Sequence, residues 1–222
     1  MGKEYTRKIE IINAMTPYGN ILLYDNMEDL LKWTGEGEGA DWAATRAQNQ
    51  VFNGNYSLDL ITKATNPAAN DWVSAYRLFP PRFDCGFSVQ GIGCLRTPAN
   101  TLDATFSLIF DNGITQLRAG FQIDPVNSKI KYLSAANTYL DIPNPDFIVY
   151  NDYWFYFKLN VNFKNKEYIN LTINHVEHDL ANIAIYELAT ATYNTGRIDV
   201  GLSATNNQRP QMCIDDILIS EL

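Results

Sequence analysis

A chain of 222 residues that is 46% hydrophobic and 13% aromatic has side chains for one full core, and 19% charged residues is too few for a disordered chain. Its net charge of −8, with no basic run longer than two residues, sets aside phosphate backbones and anionic membranes as partners, so neither a nucleic acid nor a membrane is expected. No apolar stretch approaches a membrane span, and the first ten residues carry charges where a signal peptide needs an apolar run.

Taken in chain order, residues 1–20 read as an N-terminal arm. Lys8–Ile12 is a candidate edge strand, and the arm ends in the turn cluster Thr16-Pro17-Tyr18-Gly19-Asn20. Ile21–Tyr24 reads as a short buried strand, Asp25 to Trp33 as one helical turn, and Gly35-Glu36-Gly37-Glu38-Gly39 as a flexible acidic loop. Tyr56–Thr62 alternates, with Tyr56, Leu58 and Leu60 on one face. Trp72–Phe79 is the next strand, and Pro80-Pro81 ends it because proline cannot donate to a ladder.

Thr105–Phe110 runs into Asp111-Asn112-Gly113, and an Asn-Gly pair between apolar runs predicts a hairpin. Its return strand sets Leu117, Ala119, Phe121 and Ile123 on one face, and Lys129–Leu133 follows. Val176 to Ala189 is a second place for a helical turn, and Arg197–Ala204 and Cys213–Ile219 close the chain as strands. Many short strands between turn clusters, with no repeat and no linker, predict one all-β, two-sheet antiparallel β-sandwich over residues 21–222.

Residues 153–174 carry the clearest period. Tyr153, Phe155, Phe157, Leu159, Val161 and Phe163 alternate with Trp154, Tyr156, Lys158, Asn160 and Asn162, and Ile169, Leu171 and Ile173 alternate with Asn170, Thr172 and Asn174. Matching apolar with apolar sets Val161 opposite Leu171 and Leu159 opposite Ile173. The other face then becomes a ladder in which Asn162 meets Asn170 and Asn160 meets Thr172, with Trp154 and Tyr156 farther along.

Three segments resemble jelly-roll modules of the concanavalin A-like and laminin G-like kind, as found in carbohydrate-binding modules and virion surface proteins. The first is Asp25-Asn26-Met27-Glu28-Asp29 with Trp33 and Gly54-Asn55-Tyr56-Ser57-Leu58. The second is the closing Ile214-Asp215-Asp216-Ile217, and the third is the aromatic hairpin 153–174. The resemblance implies a jelly roll. It also implies a candidate structural calcium between Glu28 and Asp216, with Asp25 and Asp215 as helpers; the other reading is that Asp215 and Asp216 cap a strand end and hydrogen-bond the N-terminal loop.

Catalysis finds little footing. Hydrolases of this architecture carry Glu-x-Asp-x-x-Glu on one strand, and that pattern is missing; Glu177 and Asp179 fall two apart on an expected loop. His175 and His178 lack a nearby third ligand for a metal. Cys85 and Cys94 can face each other across a hairpin or stand as buried thiols, and an odd cysteine count argues against a disulfide framework.

Two non-enzymatic functions remain. One is a structural or assembly protein, such as a phage virion surface, decoration or appendage component, whose partners are other subunits or further copies of itself. The alternative is a carbohydrate-binding, lectin-like module. It would take a polysaccharide on Trp154, Tyr156, Asn160, Asn162, Asn170 and Thr172, with rings stacking on sugar faces and amides binding hydroxyls. The place of action expected for either is a virion or an extracellular surface.

Overall fold

A computed structural model describes residues 20–28, 32–38, 41–48, 50–63, 68–80, 84–136, 138–143, 145, 147, 149–189, 194–205 and 208–222. The expected arm over residues 1–20, with its Lys8–Ile12 strand, lies outside them except for Asn20.

The chain is all-β and forms a jelly-roll sandwich of two antiparallel sheets. The first sheet is built from β1 (Ile21–Asp25), β3 (Ala43–Ala47), β4 (Ser57–Ile61), β6 (Gly86–Leu95), β11 (Tyr153–Asn162), β12 (Glu167–Ile173), β13 (Val176–Asp179) and β16 (Gln211–Glu221). The second is built from β2 (Thr34–Gly37), β5 (Trp72–Phe79), β7 (Thr101–Asn112), β8 (Gln116–Asp124), β9 (Lys129–Ala135), β10 (Thr138–Asp141), β14 (Tyr186–Leu188) and β15 (Asn194–Ala204).

Alternation explains how the sheets pack. Phe87 and Val89 on β6, Phe106 and Phe110 on β7, and Phe155, Phe157 and Leu159 on β11 all point inward and are buried. Phe106 stacks on Phe121 of its own sheet at a centroid distance of 4.7 Å and meets Phe157 of the other at 4.5 Å, and Phe110 meets Phe163 at 4.4 Å, so the last two contacts bridge the layers. The Asn112-Gly113 hairpin forms as its dipeptide predicts. Gly113 takes a φ of +82°, and Asn112 Oδ1 accepts the amides of Ile114 and Thr115 at 2.9 and 2.7 Å.

Three local expectations are corrected. The 176–189 segment makes no helical turn: β13 extends the first sheet beyond β12, and β14 pairs with β8. Glu177 and Asp179 therefore sit on a strand rather than a loop. The glycine-rich stretch after Trp33 supplies β2, which pairs with β5, rather than a loop alone. Its glycines admit the Trp42 ring, since a Cβ on Gly37 would lie 2.6 Å from Trp42 Cγ.

The β11–β12 register also differs from the sequence expectation. Leu159 faces Leu171 and Asn160 faces Asn170, and a bulge then pairs Val161 with Tyr168 and Asn162 with Glu167. The bulge turns Tyr168, rather than Ile169, into the core. Its hydroxyl donates to the Leu133 carbonyl at 2.8 Å and accepts from the Gly120 amide at 3.0 Å, tying the two sheets together. A fully buried tyrosine with both functions of its hydroxyl satisfied outweighs the simple alternation that would place Ile169 inside.

Candidate functional site

The polar ladder on β11 and β12 faces outward from the first sheet, but its members do not form one groove. Trp154 and Tyr156 are only 6% and 3% exposed. They belong to a second apolar cluster on the outer face, with Phe52, Ile92, Cys94 and Cys213. The Phe52 ring meets Trp154 edge-on at 5.6 Å, and the Tyr156 hydroxyl reaches Gln90 Oε1 at 3.0 Å, so neither ring offers its face to a sugar in this arrangement. Asn160 donates to Asn170 at 2.7 Å, whereas Asn162 accepts the Asn165 amide and caps the turn after β11. Thr172 lies opposite Lys158.

The acidic residues explain why Phe52 sits where it does. On β16, Asp215 points outward, and its Oδ2 accepts the amides of Phe52 and Asn53 at 2.8 and 2.9 Å. Glu28 Oε1 accepts the amides of Asn55 and Tyr56 at 2.6 and 3.2 Å. Asp216, in a bulge with φ +48°, receives the Tyr24 hydroxyl at 3.0 Å and the Asn53 side chain at 3.4 Å. Asp25 lies on the opposite, inner side. It pairs with the buried Arg77 and accepts the Trp33 indole N–H at 2.9 Å. Burial pushes the Asp215 carboxyl up to about 7, with the nearby Asp216 charge adding to the effect, and burial raises Asp216 as well. The amides of Asn55 and Tyr56 hold Glu28 below the ordinary carboxylate range.

These acids clamp the 52–56 loop onto the sheet. Calcium needs six to eight oxygens. Here the oxygens of Glu28 and Asp215 already accept N–H groups, Asp25 is on the other face, and among the described residues no three His, Cys, Asp or Glu gather as a metal site. The arrangement does not fit a cation cage. His178 is buried, with its Nε2 lacking a partner among the described residues, and burial lowers its pKa. Melting of the protein in EDTA and in millimolar calcium is expected to give the same midpoint. A calcium-dependent rise, which mass action requires of any ligand binding only the native state, would show that Glu28 and Asp216 exchange their donors for an ion.

The outer face of the second sheet presents a groove. A depression of about 420 Å³ is lined by Tyr76 and Leu78 of β5, Ile109 and Asp111 of β7, Gln116 and Arg118 of β8, and Thr195, Arg197 and Asp199 of β15. A second, of about 180 Å³, shares Ile109, Arg118 and Asp199 and extends to Ser74, Thr105, Ser107, Tyr139, Tyr186 and Gly201. The strands that contribute lining residues, from β5 to β10, span five inter-strand steps of about 4.8 Å, roughly 24 Å in all.

Strand order builds this groove. β15 lies between β7 and β5, so Asp199 faces Ser107 on one side and Tyr76 on the other. Gly201 keeps the floor low, since a Cβ there would sit 2.7 Å from Thr105 Oγ1. Arg197 pairs with Asp199 at 2.5 Å and stacks 3.8 Å above the Tyr76 ring. Burial raises the Asp199 carboxyl, with Arg197 opposing, and burial raises Tyr139 while a hydrogen bond with Ser107 opposes. Hydroxyls, a carboxylate and guanidinium groups among tyrosines in a concave site are suited to a polyhydroxylated ligand. No short motif points to this groove. Its sequence signature is the stripe Asp103, Thr105, Ser107, Asp111 against Ala104, Phe106, Leu108, Phe110, repeated as Thr195, Arg197, Asp199, Ser203 against Ile198, Val200, Leu202.

No known family profile matches the chain, and no curated protein matches it. Solved structures do. The conserved carbohydrate esterase of the Shiga toxin-encoding bacteriophage phi24B is similar with a TM-score of 0.57 at 12% identity, over 91% of this chain and 98% of that one. Arcelin-5, a lectin-like defence protein from Phaseolus vulgaris, gives 0.55 at 10% identity, over 93% and 99%. A Lotus tetragonolobus seed lectin gives 0.57 at 10% identity, over 90% and 98%. At such identities the likeness speaks for architecture, and that architecture is the concanavalin A-like jelly-roll β-sandwich.

Proposed function

We propose that this chain is a non-enzymatic carbohydrate-binding module that holds a glycan along the outer face of the second sheet. The observation that carries this reading is the pair of adjacent depressions that share Ile109, Arg118 and Asp199 in their linings. Their combined reach suits a chain of several sugar units lying across the strands. Asp199 has Arg197 at 2.5 Å, which orients it as a hydrogen-bond acceptor for hydroxyls rather than as a free acid. The lectins among the similar structures support the reading, because their architecture is shared over nearly the whole chain. The assembly reading rests on residues 1–20, nearly all outside the described residues, so the groove gives carbohydrate binding the stronger support.

The test is electrophoresis of the purified protein through native gels containing soluble polysaccharides: xylan, mixed-linkage glucan, galactomannan, alginate and polygalacturonate. Retardation by at least one is expected, with affinity in the range of about −4 to −8 kcal/mol. Unretarded migration in every gel, together with no heat of binding at millimolar oligosaccharide, would overturn the proposal.

A further inference from the structure

Cys94 and Cys213 lie directly opposite each other on the adjacent antiparallel strands β6 and β16. Both point to the outer face, both are completely buried, and neither is in a disulfide. Directly opposed residues of an antiparallel pair have Cα atoms about 4.5 or 5.5 Å apart, according to their place in the ladder. Both spacings fall within the span of about 4.4–6.8 Å that a disulfide bridges. Of the two sequence readings, Cys85 and Cys94 facing across a hairpin fails on geometry, because Cys85 precedes β6 and Cys94 lies near its far end, roughly 30 Å along the strand; the reading as free thiols agrees with the structure.

We propose that Cys94 and Cys213 are an oxidation site, joining in an oxidising environment as a cross-strand disulfide that staples β6 to β16 beneath the 50–56 loop. With glutathione disulfide as oxidant, the sulfur of one cysteine attacks it and releases one glutathione. The second cysteine then displaces the other glutathione from the mixed disulfide. One S–S bond forms and one breaks, the two protons end on the two glutathione thiols, and the two electrons lost by the protein reduce the oxidant.

The surroundings set when this happens. Gln50 Nε2 approaches Cys94 Sγ at 3.6 Å, and the Cys213 thiol approaches Asp59 Oδ1 at 3.7 Å, while Phe52 and Trp154 share the cluster with both sulfurs. Burial pushes the Cys94 thiol up to about 12 and raises Cys213 as well, so the finished fold presents little thiolate. The bond therefore forms while β16 docks on β6. The loop it closes runs from residue 94 to residue 213, and a long loop restricts the unfolded chain strongly.

The denatured, reduced chain is refolded in glutathione redox buffer, alkylated, digested and mapped by mass spectrometry. The expected result is a Cys94–Cys213 linked peptide, a mass lower by two hydrogens, alkylated Cys85, and a melting midpoint several degrees higher than after refolding under reducing conditions. Three alkylated cysteines, or linkage through Cys85, would overturn the proposal. Mapping the wild-type chain needs no variant to fold; Cys213→Ser, where it folds, loses the linked peptide and the redox-dependent rise in midpoint.

Discussion

An Asp215→Ala variant unfolds at a markedly lower urea concentration than the parent protein. Asp215 Oδ2 accepts two amides, from Phe52 and Asn53, at a position with no solvent exposure. Alanine leaves the buried N–H of Phe52, and that of Asp216, which Asp215 Oδ1 accepts at 2.9 Å, without a partner, at about 1–3 kcal/mol each, so the expected loss is roughly 2–6 kcal/mol. The effect spreads beyond the two bonds. The same loop carries Phe52, which covers Trp154, so its release wets the outer-face cluster and shifts tryptophan emission to the red. Glu28 still holds Asn55 and Tyr56, so the loop detaches at one end and the sandwich core stays folded. An unchanged urea midpoint would show that water replaces the carboxylate without cost.

The same residue gives a pH signature of definite sign. A carboxyl raised from its ordinary 3.8 to about 7 binds its proton more tightly in the native state than in the unfolded one. Its contribution to stability is complete below about pH 4 and is lost as the pH rises through 7, by at most roughly 4 kcal/mol. Asp215→Asn keeps a side-chain oxygen for the loop amides and has no proton to titrate. Urea titrations from pH 4 to pH 8 should show a downward slope in the parent that flattens in Asp215→Asn. Parallel profiles would assign the slope to other buried acids, such as Asp103 or Asp59, whose carboxyls burial also raises.

What the sequence made legible is what short-range patterns encode. The inward residues of β11, the Asn112-Gly113 hairpin and the limits of β5 follow from alternation and turn chemistry. The bulge that buries Tyr168 does not, because its cause lies across the core in the backbone of Gly120 and Leu133. Trp154 and Tyr156 were readable as outward-facing, but Phe52 reaches them from a loop far back in the chain, anchored by an acid near the C-terminus. Glu28 and Asp216, with Asp25 and Asp215 as helpers, were legible as an acidic group, but that Glu28 and Asp215 accept loop amides while Asp216 accepts the Tyr24 hydroxyl was not. The groove was least legible: its stripes are ordinary solvent-face alternation until the placement of β15 between β7 and β5 joins them.

The second large effect separates the two faces proposed as glycan sites. Asp199→Ala removes the acceptor shared by both depressions and frees Arg197 from the salt bridge that holds it over Tyr76. Affinity for any polysaccharide that retards the parent protein should fall at least tenfold, about 1.4 kcal/mol or more. The fold should tolerate the change, because Asp199 faces outward and burial already disfavours its charge. Asn170→Ala, on the outer face of the opposite sheet, breaks the bond with Asn160 and should leave affinity unchanged. The reverse pattern, with binding lost in Asn170→Ala and kept in Asp199→Ala, would move the glycan to the ladder of β11 and β12. There the sugar would have to displace Phe52 before reaching Trp154, so binding would be slow and would quicken when Asp215→Ala releases the loop. Rate as well as affinity therefore distinguishes the faces: the open groove predicts association that the state of the 50–56 loop does not alter.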